Sequence, residues 1–449
     1  MAAPLAPDFA EAVLWQEQVP APHATDAERP PVAARRQDLP YRADVVVVGA
    51  GYAGVSAARE LAAAGRDVLV LDAQPVGWGA STRNGGMVIP ELKAGPAALE
   101  RSLGPLGRRL YAEVNEAFDH VEELTAGPTP PIACDYRRTG QLYLAHAERV
   151  VPALQAMARE HGDVLGEPVR FVPRAELGAE VGSLAYHGGV VFERTGGLHP
   201  ARFHRGLVAR ARDAGARIAG GTRVRSIARR GGNGAGHRVT AEVGRGTTHR
   251  IDAADVVVCT NAYADDAVPA LARRVLPVGS FIIATEVLDP ELAHSVSPRG
   301  RMLVDSKNFL FYWRLTPDRR VAFGGRRSLA RSSLAQAREF LYASMVAVHP
   351  QLAGVPVART WGGDVAVTLD RLPHVGRVDG AWYATGCNGS GVALNTWLGM
   401  RIGRHLAGDG PPPAFAELPH RPIPLHRWRR AYLPAVGLYF RWQDRGFHP

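Results

Sequence analysis

The stretch ADVVVVGAGYAGVSAARELAAAGRDVLVLD, from Ala43 to Asp72, decides the fold that this sequence predicts. Its β-branched run at Asp44–Val48 indicates a buried parallel strand. A glycine-rich turn follows, and then a helical segment at Ala53–Ala64 and a second strand at Asp67–Leu71. A strand–turn–helix–strand unit of this kind predicts a dinucleotide-binding site at the turn.

Three glycines determine the chemistry that the turn predicts. Gly49 permits a tight turn, Gly51 lets the backbone approach a pyrophosphate, and Gly54 lets the helix lie close to the strand. Asp72 closes the second strand, where a carboxylate accepts hydrogen bonds from ribose hydroxyls. A glycine-rich turn alone is common, but here both strands, the helix and the acid agree. The cofactor contacts predicted in this unit are Gly49, Gly51, Tyr52, Ala53, Gly54, Asp72 and Ala73.

The loop after the acid, QPVGWGASTRNGG at Gln74–Gly86, indicates which dinucleotide is bound. The first unit fits NAD and FAD equally, but an NAD domain usually continues into another helix and strand. This loop is instead dense in backbone N–H groups and hydroxyls, which suits the far side of a long dinucleotide that reaches toward a flavin. The contacts predicted here are Trp78, Gly79, Ala80, Ser81, Arg83, Asn84, Gly85 and Gly86.

A third segment, AWYATGCNGSGVALNTWLGMRIG at Ala381–Gly403, predicts a strand, a glycine-rich turn and a helix. We expect the N–H groups at the helix start to face the flavin N1–C2=O edge and to stabilise the negative charge of reduced flavin. Each segment alone is equally consistent with a plain loop, but the three together favour FAD over NAD. The contacts predicted here are Gly386, Asn388, Gly389, Ser390, Gly391 and Val392.

With these segments in place, the chain resembles the FAD-dependent D-amino-acid oxidase superfamily, which includes glycine oxidase, sarcosine oxidase and D-amino-acid dehydrogenases. It is most similar to the gamma-glutamylputrescine oxidoreductase-like branch. The resemblance rests on GAGYAG, GWGASTRNGG, TGGLHPARFHRGLVARARDAGARI, VVVCTNAY, VAFGGRR, WGGDVAVTLDRLPHVGR and ATGCNGSGVALN, in that order. It implies further cofactor contacts at Val224, through its backbone, and at Thr260 and Asn261.

The resemblance also implies an α/β fold in which a Rossmann-like FAD-binding domain is interleaved with an α+β substrate domain built on a mixed antiparallel sheet. Residues 40–100, 191–265 and 361–410 are assigned to the FAD-binding domain. Residues 101–190 and 266–360 are assigned to the substrate domain. Residues 1–39 form an arm anchored by an aromatic such as Trp15, and residues 411–449 form a C-terminal tail.

By the same resemblance, the reaction is oxidation of an amine or amino acid C–N bond to an imine, with hydride transfer to flavin N5. An apolar pocket that lowers the amine pKa supplies the neutral amine without a dedicated base, so we expect no catalytic triad. Oxygen is the expected electron acceptor, and a dehydrogenase that uses a quinone or carrier is the alternative. We expect non-covalent FAD, although Cys387 at the flavin-facing turn makes a thioether link worth testing.

Candidate reaction-site residues lie mainly in the segment NFLFYWRL, which alternation divides into a face with Phe309, Phe311 and Trp313 and a face with Leu310, Tyr312 and Arg314. Sequence alone leaves open which face lines the pocket. The predicted site residues are Lys307, Tyr312, Arg326 and Trp361. Arg326 is a candidate for binding a substrate carboxylate, with a surface position as the alternative. Trp361 is a candidate for a wall of the site, with a position in the core as the alternative. Lys307 stands at the start of a strand assigned to the pocket and is a candidate for promoting the reaction with oxygen, as a lysine near flavin N5 does in sarcosine oxidases. It lies in no motif that aligns with that lysine, and a solvated turn lysine is the alternative.

Composition narrows the function classes. The 449-residue chain has a formal charge of +10, and only Lys93 and Lys307 are lysines, so the basicity comes from arginine. A solvated basic surface is the favoured explanation, and a flavoprotein that acts as a nucleic-acid or membrane binding module is the alternative. Three scattered cysteines and the absence of metal-ligand spacing predict neither a disulfide framework nor a metal site. No apolar run is long enough for a membrane span, and we expect a cytoplasmic protein.

Overall fold

Two β-sheets organise the chain in a computed structural model that describes residues 2–19, 39–127, 130–165, 168–230, 236–244, 246–329 and 332–445. The strands are β1 (Leu5–Ala10), β2 (Arg42–Val48), β3 (Val68–Leu71), β4 (Met87–Val88), β5 (Gln141–Leu144), β6 (Val169–Pro173), β7 (Gly188–Phe192), β8 (Gly196–Gly197), β9 (Arg217–Ala219), β10 (Thr222–Arg229), β11 (His237–Val243), β12 (Thr247–Val258), β13 (Leu276–Thr285), β14 (Met302–Asp305), β15 (Tyr312–Leu315), β16 (Val321–Gly325), β17 (Val357–Val367), β18 (His374–Val378) and β19 (Ala381–Thr385).

Helices cover both sheets. They are α1 (Leu14–Glu17), α2 (Tyr52–Ala63), α3 (Pro96–Leu103), α4 (Pro105–Ala126), α5 (Val151–Leu165), α6 (Pro200–Asp213), α7 (Pro269–Ala272), α8 (Pro290–Val296), α9 (Leu334–Val348), α10 (Gly391–Ala407) and α11 (Arg429–Gln443). The predicted first helix therefore begins one residue earlier than expected, at Tyr52.

The first sheet has eight strands and is built around the opening motif. β10, β11, β12, β2, β3 and β9 follow one another in that order, and β19 pairs with β12 and β18. The valines of β2 are buried because the strand lies between β12 and β3, parallel to both. The carboxyl ends of β2, β12 and β19 meet at one edge of the sheet, which is where parallel α/β sheets place their ligand sites.

Small residues bring the two predicted glycine-rich turns together at this edge. Helix α10 packs on α2 through Gly399 and Gly403, and a Cβ at Gly399 would lie 2.1 Å from the carbonyl oxygen of Ala53. Both helices begin where a parallel strand of the sheet ends, so their amino termini face the same edge.

The second sheet has nine strands in the order β1-β17-β13-β16-β15-β14-β5-β7-β6. Most of its pairs are antiparallel, whereas β1 with β17 and β14 with β5 are parallel. The predicted α/β fold is confirmed, with a Rossmann-like sheet and a mixed sheet between which the chain passes repeatedly. The strand β17 lies in the nine-stranded sheet, so the predicted boundary at residue 361 falls inside a strand.

The segment NFLFYWRL is a strand only from Tyr312 onward. Carboxylates hold the preceding residues in a loop: Asp305 accepts from the backbone N–H of Phe311 at 3.0 Å, and Asp444 accepts from that of Phe309 at 3.0 Å. Because these backbone donors are bonded to side chains, they are unavailable to a neighbouring strand. These two contacts, of which the one with Asp444 is long-range, explain why the strand is shorter than predicted.

Candidate active site

The glycine-rich turn has the geometry that its spacing predicts. Gly51 is the N-cap of α2 and has no side chain with which to cap the helix, while Oγ of Ser81 accepts from the backbone N–H of Tyr52 at 3.0 Å. Gly49 has φ +101°, a conformation that L side chains rarely adopt, and a Cβ at Gly54 would lie 1.8 Å from the carbonyl oxygen of Gly49. The other N–H groups of the first helical turn and the positive end of the helix dipole therefore face a space that suits an anion.

Asp72 braces this turn from the end of β3. Its Oδ2 accepts a hydrogen bond from the backbone N–H of Ala50 at 2.8 Å, and its Oδ1 accepts one from that of Gln74 at 2.9 Å. Each carboxylate oxygen retains acceptor capacity, since an ionised carboxylate has about four lone-pair sites. The arrangement joins the turn to the following loop and leaves Asp72 on the wall of a cavity.

A cavity of about 1030 Å³ extends from this turn to the nine-stranded sheet. Most of the predicted contacts line it. In the two amino-terminal segments they are Gly49, Gly51, Tyr52, Ala53, Asp72, Ala73, Trp78, Gly79, Ala80, Ser81, Arg83, Asn84 and Gly85. From the later segments they are Val224, Thr260, Asn261, Asn388, Gly389, Ser390, Gly391 and Val392. The structure thus brings together four parts of the chain that are far apart in the sequence, at residues 49–85, 224, 260–261 and 388–392.

Four predicted site residues are not part of the cavity lining, and packing explains their type. Gly54 lies under the turn. A Cβ at Gly86 would be 2.2 Å from the Leu198 carbonyl oxygen, and one at Gly386 would be 2.3 Å from a Thr368 methyl group. Trp361 donates from Nε1 to the carbonyl oxygen of Arg83 at 2.8 Å, so it supports the loop from behind.

The turn before α10 also presents backbone donors to the cavity. No side chain caps the helix, whose N-cap is Ser390, and Gly389 has φ +100° with no atom within 4 Å of a Cβ built on it. Asn261 holds the turn in place: its Oδ1 accepts from the backbone N–H of Gly386 at 3.0 Å, and its Nδ2 donates to Sγ of Cys387 at 3.4 Å. These open N–H groups suit an electron-rich edge of a ligand.

The far end of the cavity holds a tyrosine and an arginine. Tyr312 shares a hydrogen bond of 3.0 Å with Ser280, and its ring occupies space left by Gly324, where a Cβ would lie 2.3 Å from the ring. Burial lowers the pKa of Arg326, while the proximity of Tyr312 raises it. Within the described ranges, no carboxylate lies at ion-pair distance from Arg326. This cationic group is therefore suited to an anion brought by a ligand.

Lys307 also lines the cavity, and its surroundings exclude a solvated lysine. The side chain is buried, its Nζ lies 2.9 Å from Oδ2 of Asp305, and the ammonium sits 3.5 Å from the centroid of the Phe311 ring. Burial lowers the pKa of Lys307, and the adjacent Asp305 opposes this shift. Sequence analysis missed Asp305, since a lone aspartate at the end of a strand carries no distinctive signal.

The sequence leaves open which face of this segment lines the cavity, and the structure shows that neither face does so as a whole: Arg314, on the same face as Tyr312, donates to the carbonyl oxygen of Leu198 at 2.7 Å and is not part of the lining. Tyr312 lines the cavity, whereas Trp313 packs in the core of the nine-stranded sheet against Phe323. Phe309 and Leu310, which lie before the strand, both line the cavity, so alternation does not extend to them.

The cavity residues fit FAD. Two helix starts face the cavity, and neither N-cap residue bonds the helix through a side chain. Glycines whose Cβ atoms would crowd the turn, and a buried Thr260 hydroxyl with no partner among the described residues, also suit a long ligand with a charged centre. Over the same described residues, no group of His, Cys, Asp and Glu side chains has the arrangement of a metal site. No helix in the described part of the chain is both long and apolar enough to cross a membrane.

A dinucleotide-binding turn opens into a long cavity that reaches from the eight-stranded sheet to the nine-stranded sheet. This arrangement is typical of nucleotide-dependent oxidoreductases. The chain belongs to the FAD dependent oxidoreductase family, whose model matches residues 44–404. It is 32% identical over 407 residues to gamma-glutamylputrescine oxidoreductase of Escherichia coli (strain K12), covering 90% of this chain and 93% of that protein. The predicted resemblance is thereby confirmed, and the protein is an FAD-dependent oxidoreductase.

Solved structures show the same fold. Glycine oxidase from Geobacillus kaustophilus superposes with a TM-score of 0.68 at 21% identity, over 86% of this chain and 99% of that one. L-proline dehydrogenase from P. horikoshii superposes with a TM-score of 0.66 at 19% identity, over 83% of this chain and 95% of that one.

Proposed function

We propose that this oxidoreductase converts the C–N bond of an amine or amino acid to an imine, with oxygen as electron acceptor. The observation that supports this most strongly is a single cavity that joins the dinucleotide turn to Tyr312, Arg326 and Lys307. The names of relatives, which include gamma-glutamylputrescine oxidoreductase and glycine oxidase, support substrates of this class.

FAD, when bound, supplies the two-electron acceptor for the hydride that leaves the carbon next to nitrogen. The residues at Gly49–Gly54, Asp72, Ser81–Gly85, Thr260 and Gly389–Val392 would hold it. The substrate loses two electrons and two protons in all, and water then hydrolyses the imine to a carbonyl compound and an amine or ammonia.

The chain's own contribution at the substrate end is orientation and desolvation. The half-buried guanidinium of Arg326 would hold an anionic group of the substrate, and the apolar side chains of Phe309 and Leu310 would exclude water. Desolvation disfavours the charged ammonium form, so the bound amine would lose its proton before oxidation. No base dedicated to this proton is required.

We propose that FAD is bound without a covalent link. The cavity offers Cys387 as a nucleophile at the flavin end, but its Sγ accepts a hydrogen bond from Asn261 and packs beside Gly391. Acid precipitation of the purified holoenzyme should therefore release all yellow colour into the supernatant. A yellow pellet that becomes colourless in Cys387→Ser would contradict this part of the proposal.

The proposed oxygen reaction predicts the products. With an amine that it oxidises, the purified enzyme should produce one molecule of hydrogen peroxide for each molecule of carbonyl compound formed. Turnover with a quinone or another carrier but without peroxide would instead support the dehydrogenase alternative. We further propose the division into a discontinuous FAD-binding domain and a substrate domain given above, with the boundary at residue 361 moved to the end of β17 at Val367. We also propose a cytoplasmic location, to which the buried thiols of Cys134, Cys259 and Cys387 are suited.

A further inference from the structure

Helix α11 forms a roof over the substrate end of the cavity. Its inner face contributes Leu433, Val436 and Phe440 to the cavity wall. Gly437 is buried, and a Cβ built on it would lie 3.8 Å from the Phe309 ring, so the helix lies close to the cavity loop. The inner face of this tail helix is therefore directed at the cavity and at the loop that holds Phe309.

The outer face of α11 is apolar and exposed. Trp428, Ala431, Ala435, Leu438 and Trp442, defined here as the outer stripe, repeat at intervals of three and four residues, which places them on one side of the helix. Trp428 is 58% exposed, Leu438 63% and Trp442 58%. Tyr439 extends the patch by stacking on Trp442, with ring centroids 6.1 Å apart. Single exposed apolar residues need no explanation, but a periodic aromatic stripe indicates a binding surface.

Arginines flank the outer stripe. Arg427, Arg430, Arg441 and Arg445 are all exposed. The one acidic residue between positions 425 and 445 is Asp444, and its carboxylate is directed inward, where it accepts from the backbone N–H groups of Asn308 and Phe309. The outer face therefore combines tryptophan, leucine and tyrosine with cations and has no acidic side chain of its own.

We infer that the outer stripe and its arginines bind the surface of an anionic lipid bilayer, with the helix lying parallel to the membrane. Tryptophan and tyrosine favour the boundary between headgroups and acyl chains, and arginines complement anionic headgroups. A second copy of the chain fits less well, because antiparallel packing of two such helices would oppose arginines at both ends without a carboxylate between them. This inference is independent of the reaction proposed for the cavity.

The location of the helix links such a membrane contact to the active site. Residues of α11 that face the bilayer alternate with residues that line the cavity, and Asp444 ties the end of the helix to the loop at Asn308–Phe309. Binding would thus hold the substrate end of the cavity near the membrane surface without any segment crossing the bilayer.

Flotation of the FAD-loaded full-length protein with lipid vesicles tests the inference. At low salt the protein should float with vesicles of phosphatidylcholine and phosphatidylglycerol, and not with vesicles of phosphatidylcholine alone. The variant Trp428→Ser/Leu438→Ser/Trp442→Ser and the variant Arg427→Gln/Arg430→Gln/Arg441→Gln should each reduce the bound fraction by about tenfold or more. The matched control Leu184→Ser removes another exposed leucine, 90% exposed, and should bind as the parent does.

FAD content and amine oxidation in free solution show whether each variant is folded, because none of the substituted residues lines the cavity. If Trp428→Ser/Leu438→Ser/Trp442→Ser, here called the aromatic variant, loses FAD, Trp442→Ser alone replaces it in the comparison. No binding by the parent protein would overturn the inference, and so would binding by either the arginine variant or the aromatic variant that equals that of the parent. So would a dimer in analytical ultracentrifugation that the aromatic variant converts to monomer while vesicles bind neither protein.

Discussion

The ammonium nitrogen of Lys307 lies 2.9 Å from Oδ2 of Asp305, inside the cavity wall. One of only two lysines in a chain rich in arginine is therefore buried beside a carboxylate at the proposed reaction site. A compact ammonium held in this way is suited to stabilising negative charge that develops when oxygen is reduced.

Lys307→Met should slow reoxidation of the reduced enzyme by oxygen by orders of magnitude. Anaerobic reduction by the amine substrate should remain largely intact, because the proposed role concerns only the oxygen reaction. Stopped-flow absorbance measures the two half-reactions separately. Unchanged reoxidation would end the proposed role and would favour an acceptor other than oxygen.

The same substitution needs a stability control, since it leaves the buried Asp305 without its cation. Breaking a buried ion pair costs about 3–5 kcal/mol. Lys307→Met/Asp305→Asn should recover most of this loss in chemical denaturation, yet still react slowly with oxygen. Recovery of both properties together would show that the lysine acts only through stability.

Arg326→Gln should raise KM for substrates that carry a carboxylate by roughly 10–100-fold, the range expected for a lost charge-assisted hydrogen bond. Amines without an anionic group should be affected little. The neighbouring Arg327 is exposed, so Arg327→Gln is the matched control and should leave KM unchanged. An equal effect of Arg326→Gln on both substrate types would exclude carboxylate binding.

Gly51→Val should yield a folded protein without yellow colour. A side chain at this N-cap would occupy the space that a pyrophosphate needs, and its Cβ would lie 3.0 Å from Ser81 Oγ. Gly178→Val is the control, because a Cβ built on Gly178 meets nothing within 4 Å. Full FAD occupancy of Gly51→Val, measured by absorbance, would contradict the assignment of this turn.

The free energy of unfolding should fall as the pH is lowered from about 6.5 toward 4. Burial is the main cause that lowers the pKa of His146, His199 and His349 to about 4, so these side chains stay neutral in the folded state. As the pH falls, these histidines are protonated in the unfolded chain before they are protonated in the folded one. Each histidine therefore lowers the free energy of unfolding by up to about 1.4 kcal/mol per pH unit. Burial raises the pKa of Glu113 to about 7, so this side chain takes up a proton in the folded state first. Its effect on the free energy of unfolding is opposite in sign and cancels that of about one histidine.

Denaturant titrations across this pH range measure that dependence. His349→Gln should reduce the slope by about one proton, because its ring is fully buried beside Trp313. A slope that the substitution leaves unchanged would show that His349 is not part of the linkage.

Local chemistry made the cofactor end of the site predictable. The glycines at 49, 51 and 54 and Asp72 act through neighbours close in sequence, so their spacing contained most of the information. Long-range contacts determine the rest. Trp361 is predicted to form a wall of the site, but it donates to the carbonyl oxygen of Arg83 from behind the loop. Helix α11 reaches the cavity only through tertiary packing.

Anaerobic mixing of the purified holoenzyme with a panel of primary amines, secondary amines and amino acids tests the central claim most directly. The account predicts that at least one of them bleaches the flavin absorbance completely, and that the carbonyl product appears in equal amount. A flavin that none of these compounds reduces, but that NADPH reduces, would contradict amine oxidation and would indicate a hydroxylase-type flavoprotein instead.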